Sequence, residues 1–333
     1  MNKMRDRFRG CLLGLAIGDA LGSEVEFIHT REDILAVTGG TGVIDLPESA
    51  LFTDDTQMTL CVAEALIEGG QSIDTFMPIL SKKFVEWYEL QKTPEHRRAP
   101  GSTCLTACQR LAQGISWEES GIPSSMGCGS GMRSSPIGLY HSKSEKVVEF
   151  GISSSTITHP HELALCASVA TALLTHYALN DDPVGLWGSQ LVEVVSFNVE
   201  FCDLIKKATE MAATRQDPDY VLSKKCLGEG WTGHEAVASA LYCAMMHPDS
   251  YEKAVLLAAN AVGDSDSLAC ITGAWLGTRL GVSNIPQKWV EKIENRDKLI
   301  ETADNLLKRS NITIDDGDPE HRLLPGSQMS AMM

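Results

Sequence analysis

The chain has 333 residues, of which 43% are hydrophobic and 22% charged. That is the balance of a globular protein able to bury a core, and it argues against intrinsic disorder. Acidic side chains (44) outnumber basic ones (28), leaving a net charge of −16. So acidic a surface repels phosphate backbones and disfavours nucleic-acid partners, but it leaves room for a small anion held in a local pocket.

The ten cysteines include no Cys-x-x-Cys pair, and the closest two, Cys104 and Cys108, lie one helical turn apart. Cys11, Cys61, Cys166 and Cys270 sit in apolar stretches and read as small core residues. Reduced thiols and a cytoplasmic location are expected. Arg5, Arg7 and Arg9 precede an apolar patch, but Cys11–Ile17 is too short, too glycine-rich and closed by Asp19 to read as a signal peptide. No stretch approaches the ~20 apolar residues of a membrane span.

In chain order, nearly every apolar run has helical spacing. From Phe8 onward, Gly10, Gly14, Gly18 and Gly22 recur every four residues and share one helix face, beside Leu13, Ile17 and Leu21. Four glycines would cost an isolated helix roughly 1 kcal/mol each. The stripe therefore predicts a second backbone packed closely against it. A Gly/Thr-rich connection over 38–51 leads to a helix over Asp54–Glu68 that stops at Gly69-Gly70. Ser72–Leu90 is helical, 93–103 reads as a loop, a short helix lies near Leu105, and a loop covers 116–135. Helical spacing returns over Ser144–Ile152, Glu162–Tyr177, Leu186–Val199, Cys202–Met211, Gly233–Met246, Tyr251–Val262 and Ser267–Leu280. There is no internal repeat, linker or composition break. The expected architecture is one all-α domain over 1–333, with a core at about 7–310 and a C-terminal extension at 311–333.

Five motifs carry possible chemistry. Thr53-Asp54-Asp55-Thr56-Gln57 places two carboxylates and two hydroxyls at a helix start. Asp54 with Gln57 also suits a capping box, and acids favour helix N-termini. Gly263-Asp264-Ser265-Asp266-Ser267 is a second oxygen-rich N-terminus before an apolar helix. Facing each other across one cleft, the two would offer four carboxylates and two hydroxyls, a hard-cation ligand set. In Gly18-Asp19-Ala20-Leu21-Gly22, Asp19 is a buried structural acid or a site residue, with the structural role preferred. Glu26 lies just beyond. The glycines of 127–131 can present backbone N–H groups to phosphate oxygens, without the spacing of a P-loop or a Rossmann turn. Thr158-His159-Pro160-His161 has His-x-His spacing but no third nitrogen or sulfur ligand. A helix start with one ligand-contacting histidine is preferred there over zinc.

Taken in order, Gly18-Asp19-Ala20-Leu21-Gly22, Glu26-Phe27, Thr53–Met58, Gly127–Arg133, Thr158-His159, Gly228-Glu229-Gly230-Trp231 and Gly263–Ser267 resemble the motifs of the ADP-ribosylglycohydrolases. The resemblance spans roughly residues 7 to 281. It implies a compact, orthogonal multi-helix fold with two Mg²⁺ or Mn²⁺ ions in a cleft. It further implies that Thr53, Asp54, Asp55, Asp264, Asp266 and Ser267 ligate the metals, with Asp54, Asp55 and Glu26 catalytic. Gly127, Cys128, Gly129, Ser130, Met132, His159 and Trp231 would bind substrate, Trp231 against the adenosine. Cys128 departs from the asparagine many relatives carry, and Ser265 and Ser267 stand where threonines are common.

The expected activity is hydrolysis of the glycosidic bond at the ADP-ribose anomeric carbon. The partner would be an ADP-ribosylated protein or a small-molecule acceptor that the sequence does not identify, with no membrane involved. Two rival readings are an immunity protein that neutralises an ADP-ribosyltransferase toxin, by reversal or by direct binding, and a hydrolase of another nucleotide-sugar conjugate.

Overall fold

The computed structural model describes residues 2–312. All but the first two residues of the expected extension at 311–333 lie outside the described residues. Among the described residues there are 17 α-helices, three short 3-10 turns and no strand, so the expected all-α class holds. The helices are α1 Lys3–Gly22, α2 Arg31–Val37, α3 Asp54–Gly69, α4 Ile73–Leu90, α5 Ser102–Ala112 and α6 Trp117–Ser120. They continue with α7 Ser135–Tyr140, α8 Ser144–Thr156, α9 Glu162–Leu179, α10 Trp187–Val194, α11 Val199–Ala213 and α12 Pro218–Val221. The last five are α13 Gly233–Met246, α14 Tyr251–Ala259, α15 Ser265–Leu280, α16 Gln287–Lys292 and α17 Arg296–Arg309.

The glycine stripe of α1 does pack against a second backbone, that of α15. A Cβ at Gly10 would stand 2.0 Å from the Gly277 carbonyl oxygen, and one at Gly14 2.4 Å from that of Gly273. At Gly18 it would stand 2.1 Å from the Ala269 oxygen, and at Gly22 2.4 Å from that of Ser265. Partner numbers fall by four as the α1 numbers rise by four, so the two helices run antiparallel in contact. This crossing brings the end of α1, with Asp19, beside the start of α15, with Asp264–Ser267.

Around this pair the core is filled by α9 and α13 and by the fully buried rings of Trp187, Trp275 and Trp289. Against the sequence reading, helix α9 is long and apolar enough to cross a membrane (18 residues, mean hydropathy 1.4), but 83% of it is buried inside the protein. It is a core helix by its packing. All ten cysteines are free, and all but Cys61 are buried.

Several boundaries differ from the sequence reading. The helix expected over Leu186–Val199 ends at Val194. Asn198 is extended, and its side chain accepts from the Phe201 N–H, so it starts α11 three residues earlier than expected. The helix expected to reach Val262 stops at Ala259, where the Asn260 side chain bridges Val43, accepting from its N–H at 2.8 Å and donating to its carbonyl at 2.8 Å. Helix α17 was not expected. Leu299, Ala303, Leu306 and Leu307 form its buried face, a helical spacing masked by seven charged neighbours between Arg296 and Arg309.

Candidate active site

Three helix ends converge, and hydrogen bonding explains why their acids are left over for a site. Asp19, fully buried in α1, accepts from the Thr53 N–H at 2.9 Å, the Thr56 N–H at 3.0 Å and the Thr56 hydroxyl at 2.6 Å. The capping of α3 thus comes largely from another helix, and the structural role preferred for Asp19 is the one observed. The expected capping box of Asp54 with Gln57 does not form. Thr53 is the N-cap residue, while Gln57 Oε1 accepts from Trp87 Nε1 at 2.9 Å and Gln91 Nε2 at 3.0 Å. Asp54 Oδ2 instead accepts from the Gly101 N–H at 3.2 Å. Asp264 occupies the N-cap position of α15 but makes no side-chain cap bond.

The freed carboxylates crowd together. Glu26, Asp264 and Asp266 each present an oxygen within 4.8 Å of the others. The Thr53 hydroxyl lies 3.3 Å from Asp55 Oδ2 and 3.4 Å from Asp266 Oδ2. Asp266 Oδ1 accepts from the Ser267 N–H at 2.9 Å. Burial, then the charge of Asp266, raises Asp19 to about 7 and Glu26 to about 10. Burial likewise raises Asp54, Asp55 and Asp264 well above the usual carboxylate range, and Asp266 above it. Asp55 Oδ1 is buried with no hydrogen-bond partner. An orphaned acid oxygen inside a cluster of mutually repelling carboxylates fits a hard divalent cation.

Glu26 reaches this cluster because the chain after α1 is tied to the loop before α15. The Phe27 N–H donates to the Gly263 carbonyl at 3.1 Å, and the Gly263 N–H donates to that of Ile28 at 2.7 Å. Gly263 holds φ at +90°, and a Cβ there would lie 2.4 Å from the Glu229 carbonyl oxygen, so no other residue fits.

A cavity of about 360 Å³ opens over the cluster. Glu26, Asp54, Asp55, Asp264, Asp266 and Ser267 line it, together with Gly127, Cys128, Gly129, Met132, His159 and Trp231. Thr53 is not among the lining residues, but its hydroxyl lies against the lining acids Asp55 and Asp266. Ser130 departs from the expectation. It is fully buried, and its hydroxyl donates to the Ala164 carbonyl of α9 at 3.2 Å, so its side chain does not reach the cavity. The Cys128 thiol turns toward the acids, donating to Asp264 Oδ2 at 2.8 Å and lying 3.3 Å from the Ser267 hydroxyl. His161 caps α9, its Nδ1 accepting from the Leu163 N–H at 3.3 Å, which removes it from any zinc pair with His159. Trp231 is half-buried beside the N-terminus of α13, with its Nε1 donating to Glu229 Oε2 at 3.2 Å. The cavity also takes in Phe27 and residues 99–104, which the candidate list lacked. Phe27 stood in the Glu26-Phe27 motif, from which only Glu26 was expected at the site; the tie of the Phe27 N–H to the Gly263 carbonyl brings it there.

The ADP-ribosylglycohydrolase family model matches residues 1–314 of the chain. An uncharacterized protein of Archaeoglobus fulgidus is 32% identical over 311 residues, covering 91% of this chain and 96% of its own length. The ADP-ribosylarginine hydrolase Tri1 of Serratia proteamaculans is 29% identical over 311 residues, covering 90% and 79% respectively. A solved structure of an ADP-ribosylglycohydrolase-related protein complex matches with a TM-score of 0.74 at 23% identity, over 92% of this chain and 99% of that one. At that identity the likeness bears on the fold.

Proposed function

The chain belongs to the ADP-ribosylglycohydrolase family, and from that premise we propose that it is a divalent-metal-dependent hydrolase releasing ADP-ribose from a modified acceptor. The observation that carries the reading is the convergence of two acid-bearing helix N-termini on one cavity, with a buried, partnerless Asp55 oxygen among them. Thr53, Asp54, Asp55, Asp264, Asp266 and Ser267 would hold two Mg²⁺ or Mn²⁺ ions. When bound, such a pair supplies Lewis-acid stabilisation of charge developing on substrate oxygens.

The chain's own residues do the remaining work. Asp54 or Asp55 orients a water toward the anomeric carbon. The water oxygen bonds to that carbon as the glycosidic bond breaks; the water gives up one proton to the carboxylate that orients it and the departing acceptor takes up one proton, leaving ADP-ribose and the free acceptor. Glu26 stands beside Asp264 and Asp266 at the cluster edge, where its carboxyl can hold or deliver that proton. The glycine wall of Gly127 and Gly129 leaves room for the diphosphate, and Trp231 offers an aromatic surface for the adenosine.

Because one relative is named an ADP-ribosylarginine hydrolase, ADP-ribosyl-arginine is the first acceptor to test. The deciding experiment incubates metal-loaded and chelated protein with arginine-, serine- and nucleic-acid-linked ADP-ribose and identifies the products. Free ADP-ribose released only in the presence of Mg²⁺ or Mn²⁺ is expected. Full turnover in chelated protein with no measurable metal sinks the metal assignment.

A further inference from the structure

Behind the glycine wall lies a guanidinium that packing alone does not explain. Arg133 is fully buried, and among the described residues no carboxylate pairs with it. Its Nη1 donates to the Gly129 carbonyl at 2.8 Å. Its Nη2 donates to the Ser154 carbonyl at 2.8 Å and to Thr158 Oγ1 at 2.7 Å. The group lies 4.6 Å from the Phe84 ring centroid. A buried charge without a counter-ion is expensive, so its retention points to a task.

We infer that Arg133, acting through Thr158, holds His159 as a neutral Nε2–H donor aimed at the glycine-lined wall of the cavity, where it meets a diphosphate oxygen of the ligand. Arginine has donors only, so Thr158 Oγ1 must receive it with a lone pair. The hydroxyl proton of Thr158, itself fully buried, then needs an acceptor. His159 Nδ1, 2.7 Å away, supplies it. A neutral imidazole that accepts at Nδ1 carries its proton on Nε2.

Nε2 has no hydrogen-bond partner among the described residues, and His159 lines the cavity. A Cβ built on Gly127 would lie 3.3 Å from Nε2, and one on Gly129 2.9 Å from Cε1, so this ring edge faces the glycines. Burial and the Arg133 charge also push His159 down to about 3, which keeps the ring neutral across the physiological range. Among the described residues no lysine or arginine lines the cavity. A diphosphate lying close to five carboxylates therefore gains from a fixed N–H donor in the wall and a buried positive charge behind it. Arg133 and Thr158 are positioning residues in this arrangement; His159 makes the contact.

The diphosphate assignment rests on the function proposed above, and the test separates the two. Protein labelled with ¹⁵N-histidine reports the tautomer from its ring nitrogen shifts. The expected result is Nε2–H at His159 from pH 5 to 8. Thr158→Val should release the tautomer and weaken ADP-ribose binding about tenfold, leaving adenosine binding within twofold, because adenosine lacks the diphosphate. Thr158→Ser should restore both. Nδ1–H or a charged ring at His159 in the wild type overturns the inference. So does a folded Thr158→Val that keeps both the tautomer and full ADP-ribose affinity. Should Thr158→Val fail to fold, the wild-type spectrum and Thr158→Ser decide. The expected tautomer in a wild type without ADP-ribose affinity overturns the proposed substrate and the diphosphate contact, with the relay itself intact.

Discussion

Phe27 stacks on Trp231, with ring centroids 5.4 Å apart and planes 17° from parallel. One face of the indole is therefore already covered by the residue that follows Glu26. Phe27 holds φ at +69°, a rare conformation for an aromatic residue. It is 58% exposed at the cavity mouth. A ligand ring would meet the free face or the edge of Trp231 and so read the position of the Glu26 loop as well. Trp231→Ala should weaken ADP-ribose binding by roughly 1–3 kcal/mol, the range for base–aromatic stacking. Ligand quenching of tryptophan fluorescence, scored against a melting curve, checks this. Unchanged affinity in the folded variant removes Trp231 from the site.

Asp55→Ala and Asp266→Ala should each abolish turnover without unfolding the protein. Each removes a proposed ligand, yet each also relieves repulsion within a crowded, buried set of acids. In chelated protein the variants should melt no lower than the wild type. Product release and metal content, measured on the same samples, check the prediction; near-normal turnover with metal bound rules out the assigned role.

Metal-free protein should lose stability as pH rises from 6.5 to 8. Glu26, at about 10, and Asp19, at about 7, both sit above their unfolded values, so the folded state binds these protons more tightly, Glu26 across the whole window and Asp19 over its lower part. A group shifted this way contributes stability that is full below about pH 4, its unfolded range, and is lost as pH rises through the folded value. His141, at about 4, and His159, at about 3, work the other way near pH 6.5, where the unfolded imidazoles are still half protonated, and this offset fades as pH approaches 8. Mg²⁺ should restore the melting temperature at pH 8, and Asp266→Asn should flatten the metal-free slope. Scanning fluorimetry with and without chelator tests both; a flat wild-type slope contradicts the crowding of acids.

Gly18→Ala should destabilise the fold by about 1–3 kcal/mol or more, the cost of overpacking a tight core. Its Cβ would sit 2.1 Å from the Ala269 carbonyl oxygen, and separating α1 from α15 would also pull Asp19 from Thr53. Gly185→Ala, where a Cβ meets nothing within 4 Å, should be close to neutral. Urea unfolding of the two variants compares them directly.

Much of this protein was legible from residue order alone. Helical periodicity, the four-residue glycine stripe and the two oxygen-rich helix starts are local patterns, and local sterics and burial act on them directly. The stripe even implied its own partner, since only another backbone can fill a face that lacks side chains. What the tertiary structure decided was the use of each hydrogen-bonding group. Asp19 caps a helix 34 residues away, which relieves Asp54 of capping. Ser130 is spent on a carbonyl of α9, while Cys128 turns to an acid 136 residues distant. A carboxylate or hydroxyl has the same local propensity whichever partner it meets. Its role is set by competition among donors and acceptors that only the folded chain brings within 3 Å.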